Sequence, residues 1–238
     1  MKFPRIFVLT GAGLSAESGL GTFRDTHGIW ANFNPEELAS PAGYARNPAR
    51  VLDFYNQRRA GLRAAKPNPA HQALAKLQAE WTRRSGEVFL CTQNIDNLLE
   101  QAGAVSVVHM HGELMKSRCA DCAAVAEADG DLLVDMGCPD CGRVGGLRPH
   151  VVWFGEEPLH MTEIYTALER ADLFVSIGTS GAVYPAAAFV GFARERGLAC
   201  IEINLAPSDN ADAFTEARYG PASAAVPAWV DELIGSRD

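Results

Sequence analysis

Five short apolar runs, each followed at once by polar or glycine-rich sequence, constrain the fold of this 238-residue chain more than any other feature. The runs cover residues 5–9, 88–91, 105–109, 173–177 and 199–203, and stretches of helical character lie between them at 69–85, 95–103, 161–171 and 185–197. Short apolar runs separated by helices are typical of a parallel sheet that is buried on both faces. We therefore predict an α/β fold, with helices on both faces of a parallel sheet.

The segments that follow the runs are polar, and this fold brings them together. The first run leads into TGAG, the second into TQNID, the third into HG, the fourth into GTS and the fifth into Asn204. The carboxyl ends of parallel strands meet at one edge of the sheet, where open α/β sheets bind their ligands. We expect the functional site at this edge.

Four of the six cysteines have the spacing of a metal site. Cys119, Cys122, Cys138 and Cys141 form a C-x2-C-x15-C-x2-C pattern, whereas Cys91 and Cys200 lie singly in apolar runs. Two such pairs supply four thiolates, which suit a tetrahedral Zn²⁺ with no open position. The pattern predicts one structural zinc, with a redox dithiol pair or unrelated thiols as alternatives. The two single cysteines are expected in the core.

Two segments do not fit the sheet, and we predict that they form a smaller domain. Residues 26–66 read as a long helical excursion, and residues 112–149 contain the four paired cysteines. The remaining residues, 1–25, 67–111 and 150–238, are then assigned to a Rossmann-like domain. The expected fold is a Rossmann-like parallel sheet with a smaller helical and zinc-binding domain.

Charge and hydropathy argue against two classes of protein. The chain has 21 Lys and Arg against 29 Asp and Glu, a formal net charge of −8, whereas a general binder of nucleic acid needs a basic face. No apolar run approaches the roughly 18 residues of a membrane-spanning helix, and the apolar run near the amino terminus is too short for a secretory signal. We expect a cytoplasmic protein with no direct nucleic-acid or membrane partner.

A glycine-rich turn follows the first predicted strand. Its sequence, GAGLSA, matches G-x-G-x-x-[GA], in which glycines let the backbone approach a pyrophosphate and a following helix offers its N–H groups. A tight turn between a strand and a helix would use the same glycines. A dinucleotide dehydrogenase also needs an acidic residue at the end of a second strand about 20 residues on, and no strand precedes residues 21–25. The pattern therefore does not favour hydride transfer.

Two histidines, His109 and His111, lie at the end of the third run. Imidazole titrates near neutral pH, so either could serve as a general base at the predicted site. A buried structural histidine is the alternative for each of them, and the local sequence does not choose between the two.

Taken in order, the motifs resemble those of one family. GAGLSAESGLGTFRD, TQNID, HMHG, the paired cysteines, VVWFGE, GTS and the late asparagine occur across nearly the whole chain. This set resembles the sirtuins, NAD-dependent protein lysine deacylases, and most of all the compact bacterial type. One departure is Gly21, where many sirtuins have proline.

The resemblance implies that NAD is a co-substrate, consumed rather than reduced. The resemblance also implies that three groups of residues bind NAD: Gly11, Ala12, Gly13, Ser15, Ala16, Thr22, Phe23, Arg24 and Trp30; then Gln93, Asn94, Ile95 and Asp96; then Gly178, Thr179, Ser180, Asn204 and Ala222.

The same resemblance implies the remaining roles. His111 would be the catalytic base that activates a ribose hydroxyl, and the products would be free lysine, nicotinamide and 2′-O-acyl-ADP-ribose. The partners would be acylated-lysine proteins or peptides, paired as an added strand with the backbone of Val152, Trp153, Phe154 and Gly155. The zinc would take no part in the chemistry.

One pair of residues bears on the acyl group. Tyr55 and Arg58 are three apart, so they share a face if the segment is helical. Together they can bind a carboxylate, although a solvated helix face is the alternative reading. Within sirtuins, a Tyr-x-x-Arg pair in this segment resembles the acyl pocket of the desuccinylase and demalonylase class. The resemblance therefore implies removal of succinyl and malonyl groups, with deacetylation alongside.

Two other functions compete with this reading. A protein ADP-ribosyltransferase would use the same NAD site without an acylated peptide. A zinc-ribbon module that binds nucleic acid would use the paired cysteines, but the net charge of −8 and the five polar strand ends disfavour it.

Overall fold

The predicted parallel sheet is present, with six strands rather than five. The computed structural model describes residues 3–22 and 33–235. Its strands are β1 (Arg5–Thr10), β2 (Glu87–Thr92), β3 (Val108–His109), β4 (Gly112–Cys119), β5 (Val125–Glu127), β6 (Leu147–Val151), β7 (Leu173–Ile177), β8 (Ala199–Asn204) and β9 (Glu216–Tyr219). The large sheet has the order β3-β2-β1-β7-β8-β9, and every neighbouring pair is parallel.

Eight α-helices are described: α1 (Pro35–Leu38), α2 (Pro41–Arg46), α3 (Pro48–Ala64), α4 (Pro69–Arg83), α5 (Leu98–Gln101), α6 (Met161–Arg170), α7 (Phe189–Glu195) and α8 (Ala222–Gly235). None of the helices in the described residues is long and apolar enough to cross a membrane.

Alternate residues of β1 face opposite sides of the sheet, and both sides are buried. Ile6 and Val8 pack in one apolar cluster with residues of α4 and α8. Phe7 and Leu9 pack in a second cluster with residues of α6 and α7. A strand buried on both faces needs a continuous apolar run, which explains why the runs predicted β1, β2, β7 and β8 well.

The structure differs from the sequence prediction at the weaker elements. β9 was not predicted, because its sequence, EARY, belongs to a largely exposed edge strand with no apolar run. The run at 105–109 pairs only over β3, since Val105 is exposed and Ser106 has a positive φ of 52°. The predicted helix at 95–103 shortens to α5, and the one at 185–197 becomes a 3-10 turn followed by α7.

A second, antiparallel sheet of three strands lies in the cysteine-containing segment, in the order β5-β4-β6. Helices α1–α3 form the described part of the predicted helical excursion. Their apolar residues pack with Leu114 of β4, with Trp153 after β6 and with Ile95 after β2. The helical segment therefore covers the carboxyl edge of the large sheet. The division into two domains at the boundaries given above stays a prediction.

The cluster around Phe7 generates a test of the sheet core. Phe7 is fully buried, stacks on Phe89 and Phe174 with ring centroids 5.2 and 5.8 Å away, and meets Phe189 edge-on. We expect Phe7→Ala to lower the free energy of unfolding by about 3–5 kcal/mol in a denaturant titration. Val105→Ala, at an exposed position, should change it by less than about 0.5 kcal/mol. Equal effects would contradict this account of the core.

Candidate active site

The loops that follow β1 and β7 contact each other through their backbones at the centre of the carboxyl edge. The Gly11 N–H donates to the Ile177 carbonyl and the Gly13 N–H donates to the Gly178 carbonyl, both at 2.9 Å. A Cβ on Gly13 would lie 2.7 Å from the Gly178 Cα, and Gly178 itself has a φ of +64°. These glycines are therefore required by the contact between the two turns. Strand order also diverges here, which makes this the crevice where open α/β sheets bind ligands.

The glycine motif does not lead into an α-helix, contrary to the sequence prediction. The motif itself contains a 3-10 turn, Ala12–Leu14. A second 3-10 turn, Ala16–Ser18, starts at its last residue and is followed by Gly19, which has a φ of +84°. The Ser15 hydroxyl, between the two turns, is drawn into a buried network. The motif thus presents a tight loop, rather than a helix N-terminus, to any bound pyrophosphate.

Ser15 is the centre of a hydrogen-bond network that joins three segments. Its hydroxyl donates to the Asp96 carboxylate at 2.9 Å and accepts from the Asn94 side-chain amide at 3.2 Å. The same Asn94 amide donates to the Gly11 carbonyl at 3.0 Å. Burial raises the pKa of Asp96, while bonds from the Leu98 N–H and the Ser15 hydroxyl act in the opposite direction. Predicted residues from the first and second strand exits are therefore in direct contact.

The sequence analysis missed His71, which completes this network. It is fully buried in the first turn of α4, and its Nδ1 accepts from the Asn68 N–H at 3.2 Å. The proton therefore lies on Nε2, which donates to the Ser15 hydroxyl at 3.2 Å. Burial lowers the pKa of His71 to about 4, so the ring is neutral. The signal in the sequence was the helix-capping pattern Asn68-Pro69-x-His71.

The structure gives the two candidate histidines different chemistry. Both nitrogens of His109 face acceptors, with Nε2 2.7 Å from the Glu100 carboxylate and Nδ1 3.3 Å from the Asn94 carbonyl. Burial lowers its pKa, but these partners outweigh burial and raise the pKa overall. Two acceptors favour the protonated form of the ring, which has no lone pair left to accept a proton.

His111 is arranged as a base. Its Nδ1 donates to the Gln93 carbonyl at 2.9 Å, which leaves the lone pair of a neutral ring on Nε2. No described residue forms a hydrogen bond with that Nε2 atom. Burial lowers the pKa of His111, although the bond to Gln93 opposes this, so the neutral ring is favoured at neutral pH. Of the two histidines, His111 is therefore the one with a ring nitrogen that forms no hydrogen bond with a described residue.

A cavity of about 190 Å³ opens beside this network. Its lining includes five residues predicted for NAD and one predicted for the acyl group: Ala12, Ser15, Asn94, Ile95, Asp96 and Arg58. A cavity of roughly 150 Å³ accepts a ring the size of benzene, so this one can hold a nicotinamide ring. The Ser15 hydroxyl and both N–H groups of the Asn94 amide are already bonded within the network, and the Asp96 carboxylate in the lining is a polar group that can still accept from such a ring or its ribose. These residues fit the nicotinamide end of NAD.

Arg58 and Tyr55 lie on one face of α3, as predicted. Arg58 lines the cavity, whereas the Tyr55 ring is buried behind it, and its hydroxyl accepts from the Trp153 indole N–H at 2.9 Å. Burial raises the pKa of Tyr55 to about 12, partly offset by the nearby Arg58. Burial also lowers the pKa of Arg58, with Tyr55 and Asp96 opposing. The guanidinium is nevertheless cationic, because arginine is not deprotonated in proteins.

In the segment predicted to pair with a peptide, three backbone N–H groups already have hydrogen-bond partners. The N–H groups of Val152, Trp153 and Phe154 already donate to the His111 carbonyl, the Glu156 carboxylate and the Ala39 carbonyl. Residues 153–156 form a turn with Gly155 at a φ of +89°, not a continuous extended strand. The Val152 carbonyl and the Gly155 N–H have no hydrogen-bond partner among the described residues. Pairing with a peptide would therefore use these two groups.

The remaining predicted cofactor residues lie on the other side of the glycine loop, around β7 and β8. The Asn204 side chain donates to the Thr179 carbonyl at 2.8 Å, and Ser180 is exposed beyond it. Ala222 begins α8, where the next residue, Ser223, holds the Glu17 carboxylate with two hydrogen bonds. Thr22 is at the end of the first described segment, and Phe23, Arg24 and Trp30 lie outside the described residues.

The four paired cysteines converge, as their spacing predicted. All four sulfur atoms lie within 4.8 Å of one another, with Cys119 Sγ 3.8 Å from Cys141 Sγ and Cys122 Sγ 3.7 Å from Cys138 Sγ. Tetrahedral zinc with bonds of about 2.3 Å separates its sulfur ligands by about 3.8 Å. The donor set and its spacing fit one structural Zn²⁺. Because Cys119 ends β4 and pairs with Leu147 of β6, the metal would close the outer end of the small sheet.

Comparisons with known proteins agree with this geometry. The family model of the Sir2 family matches residues 11–185. A relative from Caulobacter vibrioides, named NAD-dependent protein deacylase, is 60% identical over 97% of each chain. A solved Sir2 homologue in complex with NAD is 37% identical, with a TM-score of 0.83 over 98% of this chain and 89% of that one. A Sir2 structure bound to an acetylated peptide is 25% identical, with a TM-score of 0.81 over 98% and 94%.

The fold is that of the Sir2 proteins. This chain belongs to the Sir2 family. The resemblance read from the motifs is thereby confirmed.

The cysteine cluster generates a prediction about metal content. We expect one zinc per chain, and we expect Cys141→Ser to lose it and to lower Tm by about 4–8 °C, as a loss of about 2 kcal/mol would. Cys200→Ala, at a buried cysteine outside the cluster, should keep one zinc per chain. Metal analysis and thermal unfolding measure both. A folded wild-type preparation without zinc would contradict the assignment.

Proposed function

We propose that this Sir2-family chain is an NAD-dependent protein-lysine deacylase that removes succinyl and malonyl groups, and acetyl groups less efficiently. One observation carries the proposal: helix α3 brings Arg58 into the same cavity as Ser15, Asn94 and Asp96. A cation on one wall and the nicotinamide-site residues on the other suit an acyl chain that ends in a carboxylate, with its amide near the ribose.

NAD, when bound, supplies the ribose carbon that loses nicotinamide and the hydroxyl that accepts the acyl group. The residues of this chain provide the rest. Ser15 and Asn94, fixed by their buried bonds, hold the loop against the cofactor. His111 takes the proton of the ribose hydroxyl on Nε2, because its Nδ1 is already committed to Gln93. The Val152 carbonyl and the Gly155 N–H hold the substrate backbone.

The substrate class follows from the same groups. Acylated-lysine proteins or peptides can bind through their main chain, which makes binding weakly dependent on the peptide sequence. The Sir2 structure with an acetylated peptide supports this class of partner. ADP-ribosyl transfer to protein is not favoured, since the named relatives are deacylases. Formation of O-acyl-ADP-ribose rather than a mass-shifted protein would separate the two activities.

The base assignment predicts a pH profile. We expect His111→Gln to lower kcat by about 10²- to 10⁴-fold, because proton transfer is lost. Wild-type kcat/KM should fall on the acid side with an apparent pKa below about 6.5, since burial lowers the pKa of His111 and protonation removes the base. The variant should remain folded and zinc-loaded. An acid limb above 6.5, or one-tenth or more of the activity remaining in the variant, would overturn the assignment.

The acyl specificity is tested at Arg58. We expect Arg58→Met to lower the ratio of kcat/KM for succinyl over acetyl peptides of the same sequence by about 10- to 100-fold, because a charged hydrogen bond is lost. Arg50→Met is the matched control, since Arg50 lies on the same helix but forms an exposed ion pair with Glu37. The control should leave the ratio unchanged. An unchanged ratio in Arg58→Met would refute the succinyl assignment.

A further inference from the structure

Behind the acyl pocket, Arg148, Glu156 and Trp153 form one bonded unit that ends on the Tyr55 hydroxyl. We propose that this unit determines acyl specificity by fixing the direction of the Tyr55 O–H bond toward the carboxylate of the acyl group. Trp153 and the Arg148–Glu156 pair are then positioning residues, which act through Tyr55 rather than by touching the substrate. The inference rests on the proposed succinyl and malonyl specificity.

The hydrogen bond between Trp153 and Tyr55 has only one possible direction. The Trp153 indole nitrogen lies 2.9 Å from the Tyr55 hydroxyl. An indole N–H can only donate, so the hydroxyl must accept in this bond and its own proton points elsewhere. No described residue accepts that proton. A hydroxyl that already accepts one hydrogen bond is also a stronger donor in the next.

Trp153 is held in place by two neighbouring residues. Glu156 binds Arg148 through two bonds of 2.6 and 2.9 Å, and one of its oxygens also accepts from the Trp153 backbone N–H at 2.8 Å. The Arg148 guanidinium stacks on the Trp153 ring, 3.4 Å from its centroid. The indole is thus held at its backbone and over its face by one ion pair, which is itself largely buried.

Helix α3 links this unit to the pocket. Tyr55 is only 3% exposed, so the orientation of its ring is restricted by the residues packed around it. Arg58 lies one helical turn further on and lines the cavity. With a pKa near 12, the Tyr55 hydroxyl stays protonated and remains a donor throughout the working pH range. In this proposal, one neutral and one cationic donor from the same face of α3 bind the carboxylate.

The test removes the indole donor and keeps an aromatic ring. We expect Trp153→Phe to lower the succinyl-to-acetyl ratio of kcat/KM about fivefold, mainly through a higher KM for the succinyl peptide. In a Tyr55→Phe background, the same change should lower the ratio no further, because the hydroxyl that it positions is absent. A general structural role would instead lower both activities by the same factor, and it would do so in both backgrounds.

A matched control is available in the sheet core. Trp81 is also buried and donates its indole N–H to the Phe3 carbonyl at 2.9 Å, in a different apolar cluster. Trp81→Phe should lower thermal stability and leave the succinyl-to-acetyl ratio unchanged. If Trp153→Phe fails to fold, Glu156→Gln keeps the side-chain size, weakens the Arg148 pair and should lower the ratio in the same direction.

The outcomes separate this inference from the function on which it rests. A wild-type succinyl-to-acetyl ratio below one overturns the proposed specificity and the inference with it. A ratio above one that Trp153→Phe and Glu156→Gln leave unchanged overturns only the inference. Additive effects of Trp153→Phe and Tyr55→Phe on the ratio would overturn it as well.

Discussion

The contact between the exits of β1 and β7 is the constraint on which the site depends. Gly13 and Gly178 approach so closely that a Cβ on either would lie under 3 Å from the backbone of the other turn. This contact fixes where the loop after β1 begins, and hence where Ser15 and Asn94 can meet. A cofactor site next to this contact has a rigid base, because backbone hydrogen bonds rather than side-chain packing set the distance between the loop after β1 and the loop after β7.

Next to this contact, buried polar side chains join elements that are distant in sequence. Ser15 links the glycine loop, the segment after β2 and the start of α4 through Asp96, Asn94 and His71. Such a network is stabilising only when each member is satisfied, and each of these groups has a partner of the correct polarity. It also keeps the carboxylate of Asp96 beside the cavity although burial disfavours its charge.

The sequence predicted the large sheet well because a strand buried on both faces must be continuously apolar, as β1 and β7 are. The sequence did not predict the elements whose structure depends on tertiary contacts. The edge strand β9 carries no apolar signal. The 3-10 turns Ala12–Leu14 and Ala16–Ser18 flank Ser15, which bonds to Asp96, a residue distant in the sequence. The local sequence also could not choose between His109 and His111, because the difference lies in Glu100 and Gln93, which only the fold brings to them. The zinc cluster was predictable because its ligands lie close together in the chain.

His111 lies in a short connection between the two sheets, since Met110 and His111 are the two residues between β3 and β4. Its ring is anchored to the large sheet through the Gln93 carbonyl, while its own carbonyl accepts from Val152 beside the small sheet. In the proposed function, the peptide-binding segment and the base are therefore joined by one hydrogen bond, from the Val152 N–H to the His111 carbonyl. Peptide binding and proton transfer would then be coupled through the backbone of a single residue.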